Sequence, residues 1–196
     1  MDGEALSAAI LGAQRGDSAC LDRLVEHFAG RIFGFLYRMT GSRQDAEDLM
    51  QEVFVRLVRM IGVYQHDGRF EAWLFRIAAN LARDRVRKLG RSPRVLALVE
   101  SDAESARHSG VTSMDDLASA EEPVDAGLRR GEEADALHAA LNELPAAERE
   151  TIMLRHFSQM TFREIAEATG VPLGTALARG HRGLAKLREI MCGTGS

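Results

Sequence analysis

Apolar residues in the first ninety positions recur mainly at intervals of three and four residues, with no sustained alternation. Such spacing is typical of amphipathic helices, whereas a half-buried strand alternates apolar and polar residues. The pattern predicts an all-helical first half. Its first apolar stripe consists of Leu21, Leu24, Val25, Phe28, Ile32, Phe35, Leu36 and Met39.

Two further helices follow this stripe. Gly41 and the candidate N-cap Ser42 separate the first stripe from the second, which has an acid-rich first turn suited to a helix N-terminus. The second stripe contains Leu49, Val53, Phe54, Leu57, Val58 and Ile61. The third runs from about Phe70 towards Lys88 through Trp73, Leu74, Ile77, Ala78, Leu81 and Val86. The glycine-rich, polar segment from Gly62 to Arg69 between them predicts a loop.

The C-terminal part of the chain has the pattern of a helix-turn-helix. Apolar positions from Ala134 lead to Pro145, and a further helix is predicted from Ala147 to Phe157. The sequence TFRE, beginning at Thr161, is a capping box that opens a short helix ending at Gly170. A second, basic helix follows, and the small residue Ala166 suits the close approach of the two helices.

Between about Gly90 and Gly131 the periodicity fades and the composition turns to Ser, Ala, Asp and Glu, which is typical of a tether. A short helix near Val95 to Glu100 is the one exception that the pattern allows. We therefore predict an all-α protein with two small helical domains joined by a flexible acidic linker. The predicted boundaries are residues 1–90, 91–131 and 132–196.

Charge is segregated along the chain, although the net charge is only −4. Residues 100–135 carry eleven acidic residues and three arginines, whereas residues 76–94 carry seven basic residues and one acid. An acidic segment thus lies between two basic ones. The basic helix before Gly90 offers charge for phosphates and, at Asn80, an amide for a base edge. Its candidate DNA-binding residues are Arg76, Asn80, Arg83, Asp84, Arg87 and Lys88.

The preceding loop carries Tyr64 and His66, rings of the kind on which unstacked bases of a single strand bind. A purely structural interpretation stays open for each of these features: a solvated helix face for the basic residues and loop or core packing for the rings. The sequence contains no HExxH, GxSxG or phosphate-cradling motif, and Cys20 and Cys192 match no metal-ligand spacing. We therefore expect no enzyme, no cofactor and no metal.

The N-terminus has no basic segment ahead of an apolar core, and no later run reaches the ~18 apolar residues that a membrane span needs. We expect a cytoplasmic protein without membrane insertion.

Two blocks of the sequence resemble the extracytoplasmic-function (ECF) sigma factors of the sigma-70 family. DAEDLMQEVFVRLVRMIGVYQHDGRFEAWLFRIAANLARDRVRK is similar to their region 2, and LPAAERETIMLRHFSQMTFREIAEATGVPLGTALARGHRGLAKLREIM to their region 4. The resemblance begins near Gln14 and covers nearly all of the chain except the tether. It implies a subunit that binds bacterial core RNA polymerase and directs promoter-specific transcription initiation.

The resemblance also implies roles for particular residues. The helix that docks on the clamp helices of the large polymerase subunit would use Asp45, Asp48, Gln51, Glu52 and Phe54. Region 2 would capture a flipped base with the loop from Tyr64 to Phe70, and would hold the minus-ten strand with the basic helix, near the family tryptophan at Trp73. Region 4 would read the minus-thirty-five element with Thr175, Arg179, His181, Arg182 and Lys186.

The chain departs from the family pattern in the second helix of the motif. Leu177 stands at a lysine position, Ala178 at a serine position and Gly180 at a packed aliphatic position. A glycine inside a helix costs roughly 1 kcal/mol relative to alanine, and Gly180 would also remove an anchor to the core. We therefore expect weaker or altered recognition of the minus-thirty-five element, with Arg179 and Arg182 as the remaining contacts.

A further partner, a role for the linker and an alternative function complete the expectations. Family members are commonly held inactive by an anti-sigma factor, so such a partner is expected here, and the acidic linker could mimic nucleic acid in a positive channel of the polymerase. The alternative is a stand-alone helix-turn-helix regulator whose N-terminal domain binds a partner protein. Tyr64, His66 and Asn80 would then be incidental.

Overall fold

The computed structural model describes residues 1–90 and 136–193, and these residues contain helices and no strand. The linker, the short helix near Val95 and the start of the second domain at residue 132 fall outside the described residues. The N-terminal domain consists of α1 (Gly3–Gln14), α2 (Ser18–Thr40), α3 (Arg43–Met60), a 3₁₀ turn (Ile61–Val63) and α4 (Phe70–Gly90). The all-α prediction is confirmed in this part of the chain.

Local signals place the ends of these helices. Asp17 caps α2 by accepting hydrogen bonds from the amides of Ala19 and Cys20. Gly41 ends the same helix in the left-handed conformation at φ 73°, which glycine adopts without steric cost. Ser42 then caps α3. The predicted separation of the first two stripes at Gly41 and Ser42 is therefore confirmed.

The core of the N-terminal domain forms where α2, α3 and α4 pack against one another. Most residues of the predicted stripes supply it, but Val25 and Val86 are only partly buried and lie outside it, and Val58 is 52% exposed. One element, α1, was not predicted. It is short and rich in alanine and glycine, so its apolar periodicity is weak, yet it buries Ala9, Ile10 and Ala13.

The C-terminal domain consists of α5 (residues 136–142), α6 (Ala146–Phe157), α7 (Phe162–Thr169) and α8 (Leu173–Gly193). The capping box of α7 is present, and Gly170 ends that helix in the left-handed conformation at φ 69°. Ala166 is buried where α7 and α8 meet. The predicted helix-turn-helix is thereby confirmed.

Candidate nucleic-acid interface

A cavity of about 230 Å³ opens beside the loop that joins the 3₁₀ turn to α4. We call it the loop cavity. Its walls combine the aromatic side chains of Tyr64 and Trp73, whose ring centroids lie 4.7 Å apart, with the basic side chains of Arg69 and Arg76. Aromatic faces beside positive charge suit an unstacked base and its phosphate.

Tyr64 is held by packing on one side and by a carboxylate at its tip. Its ring also lies edge-on to Phe70, 5.4 Å between centroids. Burial raises the pKa of Tyr64 to about 12, and the nearby charge of Asp67 contributes to the rise. The hydroxyl is therefore protonated at neutral pH and donates a long hydrogen bond of 3.4 Å to Asp67 Oδ1.

A row of polar side chains leaves the loop cavity along the outer face of α4. Arg76, Asn80, Arg87 and Lys88 are exposed, and the spacings of four, seven and eight residues from Asn80 to the other three place them on one side of the helix. We call these four residues the basic stripe. Asp84 is exposed in the same row and contacts Arg87, so part of the positive charge is neutralised within the helix.

Arg83 differs from its neighbours because the C-terminal domain engages it. Its guanidinium donates a 2.6 Å hydrogen bond to Oε1 of Glu150 in α6 and another of 3.2 Å to Asn80 Oδ1. The Glu150 side chain is only 8% exposed, whereas that of Arg83 is 33% exposed. A predicted strand-binding residue is thus paired with a carboxylate of the other domain.

Further contacts join the two domains on either side of this pair. The Phe157 ring at the end of α6 packs 6.2 Å from that of Phe35 and beneath the Arg38 guanidinium, whose pKa is lowered by burial. The Phe157 carbonyl accepts from Arg31, which also holds Glu71. At the loop cavity, Glu164 of α7 lies 3.5 Å from Arg69. The C-terminal domain therefore covers part of the predicted minus-ten surface.

The predicted minus-thirty-five residues lie along α8. Those at 181, 182 and 186 are exposed, and Thr175 and Arg179 are partly exposed. Arg182 Nε donates a 2.9 Å hydrogen bond to Glu148 while its own side chain stays 62% exposed. The face of α8 opposite the core thus carries charge suited to a phosphate backbone.

Gly180 corrects one expectation. It does not leave a missing anchor, because the Phe162 ring fills the space: a Cβ on Gly180 would lie 2.5 Å from Phe162 Cε1. Gly183 likewise meets Ile152, at 2.7 Å. Both glycines are buried, and they allow α8 to approach α6 and α7 closely.

The predicted polymerase-binding residues all lie on α3 and differ in their surroundings. Asp45 is partly buried and accepts a 2.6 Å hydrogen bond from Arg85, and Glu52 pairs with Arg56. Asp48 and Gln51 are exposed, and Phe54 is partly buried. They share the outer face of α3 with Val55, 41% exposed, and Val58. Val58 was missed as a surface residue because it falls in the predicted stripe, which assigns it to the core, and Val55 was missed because no motif identifies it.

Residues of α1 were also missed, because no motif identifies them. Gln14 Nε2 donates to the carbonyl oxygens of Ile61 and Tyr64, and Ser7 Oγ lies 3.0 Å from His66 Nε2. Within residues 1–90 and 136–193, no group of His, Cys, Asp and Glu side chains has the arrangement of a metal site. None of the helices in those ranges is long and apolar enough to cross a membrane.

Known protein families match the sequence of both domains. A family model for Sigma-70 region 2 matches residues 24–92, and one for Sigma-70, region 4, matches residues 134–187. ECF RNA polymerase sigma factor SigE of Mycolicibacterium smegmatis is 37% identical over 180 residues, which are 90% of this chain and 64% of SigE. ECF RNA polymerase sigma factor SigW of Bacillus subtilis is 32% identical over 90% of this chain and 91% of SigW.

Solved structures agree on the fold. The sigma factor RpoE from Bartonella quintana, in complex with the anti-sigma factor NepR, superimposes with a TM-score of 0.62 at 22% identity, over 87% of this chain and 95% of RpoE. A region 2 match is not expected of a stand-alone helix-turn-helix regulator, so that alternative has no support. The chain belongs to the sigma-70 family as an extracytoplasmic-function sigma factor, a class of protein that directs RNA polymerase to specific promoters.

Proposed function

We propose that this chain binds core RNA polymerase, opens the minus-ten element with its N-terminal domain and reads the minus-thirty-five element with α8. One observation carries the proposal: the basic stripe of α4 starts beside the contacting rings of Tyr64 and Trp73, which line the loop cavity on the side of the N-terminal domain. A helix with phosphate-binding side chains beside a stacking site is suited to a displaced single strand.

In the minus-ten step, the loop cavity takes one flipped base against the side that the contacting rings of Tyr64 and Trp73 present to it. Asn80 offers an amide for a base edge, while Arg76, Arg87 and Lys88 bind the phosphates on either side. Extruding a base costs a few kcal/mol, which stacking and edge hydrogen bonds must offset. Stacking alone contributes about 1–3 kcal/mol per base, so one captured base repays most of the cost.

In the minus-thirty-five step, α8 enters the major groove, as the second helix of such motifs does. Thr175 and Arg179 lie towards its N-terminal half, where base contacts are made, and His181, Arg182 and Lys186 follow along the exposed surface. Leu177, 36% exposed, offers an apolar contact where the family has lysine. A leucine there favours contact with a thymine methyl group rather than with a phosphate.

For the polymerase, we propose the outer face of α3. Asp48 and Gln51 provide polar contacts, and the exposed Val55 and Val58, which follow them along the same face, provide apolar contact area. Asp45 acts indirectly, since its carboxylate is bound by Arg85 and so stabilises the junction of α3 and α4.

The contacts between the two domains imply a rearrangement. Arg83 cannot bind a phosphate while Glu150 holds it, and α7 narrows access to the loop cavity. Binding to polymerase would separate the domains, and a partner that stabilises the joined arrangement would inhibit. We propose an anti-sigma factor as that partner. The protein acts in the cytoplasm with the polymerase, which supplies all catalytic groups for RNA synthesis.

The test is reconstitution. Purified protein is mixed with core polymerase and a genomic fragment library, and transcripts are mapped to identify a promoter. On that promoter, permanganate reactivity of unpaired thymines reports opening of the minus-ten element. We expect opening with the wild type and a loss of at least tenfold with Asn80→Ala and Trp73→Ala.

The matched control is Glu26→Ala, an exposed residue on α2 outside the basic stripe, the loop cavity and the proposed polymerase face of α3. Failure to bind core polymerase would refute the proposal as a whole. Normal opening by both variants of the minus-ten surface would refute the assignment of base capture to the loop cavity.

A further inference from the structure

Helix α1 braces the loop that forms the loop cavity. Its buried residues Ala9, Ile10 and Ala13 pack it against α2 and the 3₁₀ turn. The helix ends at Gln14, and Gly16 at φ 88° then turns the chain into α2. This turn leaves the Gln14 side chain facing the segment where α3 gives way to the loop.

The Gln14 amide binds two carbonyl groups of that segment. Its Nε2 atom lies 3.1 Å from the carbonyl oxygen of Ile61 and 2.6 Å from that of Tyr64. Both amide hydrogens are therefore used. Both carbonyls lie just after the end of α3, where intrahelical partners run out. That of Ile61 also accepts from the Tyr64 amide, which closes the 3₁₀ turn, and that of Tyr64 belongs to the residue whose ring lines the loop cavity.

A second contact from α1 fixes the middle of the loop. Ser7 Oγ lies 2.9 Å from the carbonyl oxygen of Gly3 and 3.0 Å from His66 Nε2. Because the hydroxyl hydrogen is donated to Gly3, its oxygen accepts from His66, which assigns the ring hydrogen to Nε2. The loop is thus attached to α1 at 61, 64 and 66, whereas residues 62, 63, 65 and 67–69 are exposed.

We propose that Gln14 is a positioning residue for base capture: it holds the Tyr64 backbone in the geometry that receives a base before DNA arrives. The inference rests on the proposed function of the loop cavity. A loop ordered in advance binds more tightly, because the entropy of ordering is not lost at the moment of binding. Gln14 touches no DNA in this scheme and acts only through the loop backbone.

The chemistry of the contact defines the variants. Gln14→Met keeps the length of the side chain and removes both donors. Gln14→Glu keeps the shape but places carboxylate oxygens against two carbonyl oxygens. It should therefore weaken strand binding more than Gln14→Met does. Gln159→Met makes the same change in the turn between α6 and α7, where the exposed Gln159 amide donates to the carbonyl oxygen of His156, and serves as the matched control.

The experiment uses the holoenzyme and the non-template strand of the minus-ten region from the promoter selected above. Affinity is measured for the intact strand and for strands with an abasic site at each position in turn. Wild type is expected to lose affinity at one position. Gln14→Met should bind the intact strand about tenfold more weakly, the effect of freeing one backbone residue.

For the strand that lacks the captured base, the same variant should differ from wild type by less than twofold, since the contact that Gln14 supports is already absent. Such non-additivity is the signature of coupling between Gln14 and the captured base. Core polymerase affinity and the urea midpoint should match those of Gln159→Met. Ser7→Ala, which removes the His66 contact and the exposed hydrogen bond to Gly3 within α1, should show the same pattern more weakly and provides the readout if Gln14→Met fails to fold.

The possible results distinguish base capture by the loop cavity from the positioning role of Gln14. A wild type that binds intact and abasic strands alike would overturn base capture, and the role of Gln14 with it. If wild type and Gln14→Met both bind the intact strand more tightly than the abasic strand, and by the same factor, the positioning role alone would be overturned. An equal loss by Gln14→Met on intact and abasic strands would also overturn it, because a general structural defect predicts that result.

Discussion

The guanidinium of Arg83 in the N-terminal domain lies 2.6 Å from the buried carboxylate of Glu150 in the C-terminal domain. In the proposed function, Arg83 binds a phosphate of the minus-ten strand, so Glu150 occupies the position that a phosphate would take. The pair therefore links promoter opening to the relative position of the two domains.

Weakening this pair should separate the domains. Glu150→Gln removes the charge from Glu150 with little change of shape, and a hydrogen bond to a charged group contributes about 1.5–3 kcal/mol. We expect the separated arrangement to become roughly tenfold more populated, which corresponds to about 1.4 kcal/mol. Energy transfer between fluorophores on Cys192 and on Glu4→Cys, both exposed positions, reports the separation.

Glu47→Gln is the matched control for this change. It removes an exposed pair with Arg43 inside α3, and exposed pairs contribute little. Transfer efficiency should not change in this control. Unchanged efficiency in Glu150→Gln would mean that the other contacts, the packing of Phe157, its hydrogen bond from Arg31 and the ion pair at the loop cavity, hold the domains together.

The close approach at Gly180 can be tested with alanine. Gly180→Ala places a Cβ against the Phe162 ring, and overpacking typically costs about 1–3 kcal/mol. Gly174→Ala is the control in the same helix, because a Cβ there meets nothing within 4 Å. We expect Gly180→Ala to be the less stable of the two by about 1–3 kcal/mol in urea unfolding.

Whether Gly180→Ala destabilises or stabilises the protein should depend on Phe162. In a Phe162→Ala background the clash is gone, and Gly180→Ala should stabilise α8 by roughly 1 kcal/mol through helix propensity. A double-mutant cycle gives this coupling directly. Additive effects of the two substitutions would contradict the packing described here. Gly180→Leu would restore the aliphatic residue of the family pattern, but it should lower the stability more than Gly180→Ala does.

The charged face of α8 predicts a salt dependence. Binding to a duplex that contains the minus-thirty-five element should weaken with salt, and each phosphate contact contributes about 0.9 to the slope of log affinity against log salt. Arg179→Ala and Arg182→Ala should each lower that slope by about this amount. Arg23→Ala, an exposed arginine on α2, is the control and should leave it unchanged.

Glu148 offers a further check on Arg182. Since Arg182 donates to Glu148, Glu148→Gln should free the guanidinium and tighten duplex binding. If neither arginine changes the slope, then α8 does not approach the phosphates with this face.

The capping box of α7 predicts a pH dependence of stability. Hydrogen bonds from the backbone and hydroxyl of Thr161, both 2.7 Å from Glu164 Oε2, hold the pKa of Glu164 below its usual 4.5, and the Arg69 charge adds to this. The stabilisation is therefore complete above the unfolded pKa and is lost as pH falls through the folded one. Glu164→Gln should lower the free energy of unfolding by about 1 kcal/mol at pH 7.

The difference between wild type and Glu164→Gln should shrink as the pH falls below 4.5, because the wild-type carboxyl then becomes neutral. Urea unfolding at several pH values measures it. In a Thr161→Ala background the side-chain partner is missing, so the same substitution should cost less at pH 7. A difference that stays constant down to pH 3 would contradict the assigned cause.

The helices, their caps and the helix-turn-helix could be predicted because they depend on residues close in sequence. Periodicity identifies an amphipathic helix wherever its apolar stripe is strong, and Ser42, Thr161 and Gly170 act on backbone within a few residues. The same reasoning missed α1, whose stripe is weak, and misplaced Val58, because periodicity identifies an apolar position without telling what covers it.

The sequence by itself thus determined the helical class, the two-domain order and the residue types that suit DNA. Tertiary structure alone decided which of those residues are free. Arg83 meets Glu150 across 67 positions, Gln14 meets Tyr64 across 50, and Gly180 is small because Phe162 fills the adjacent space. Such contacts depend on how whole helices pack, and the side chains involved carry no local signal of the partner that packing brings to them.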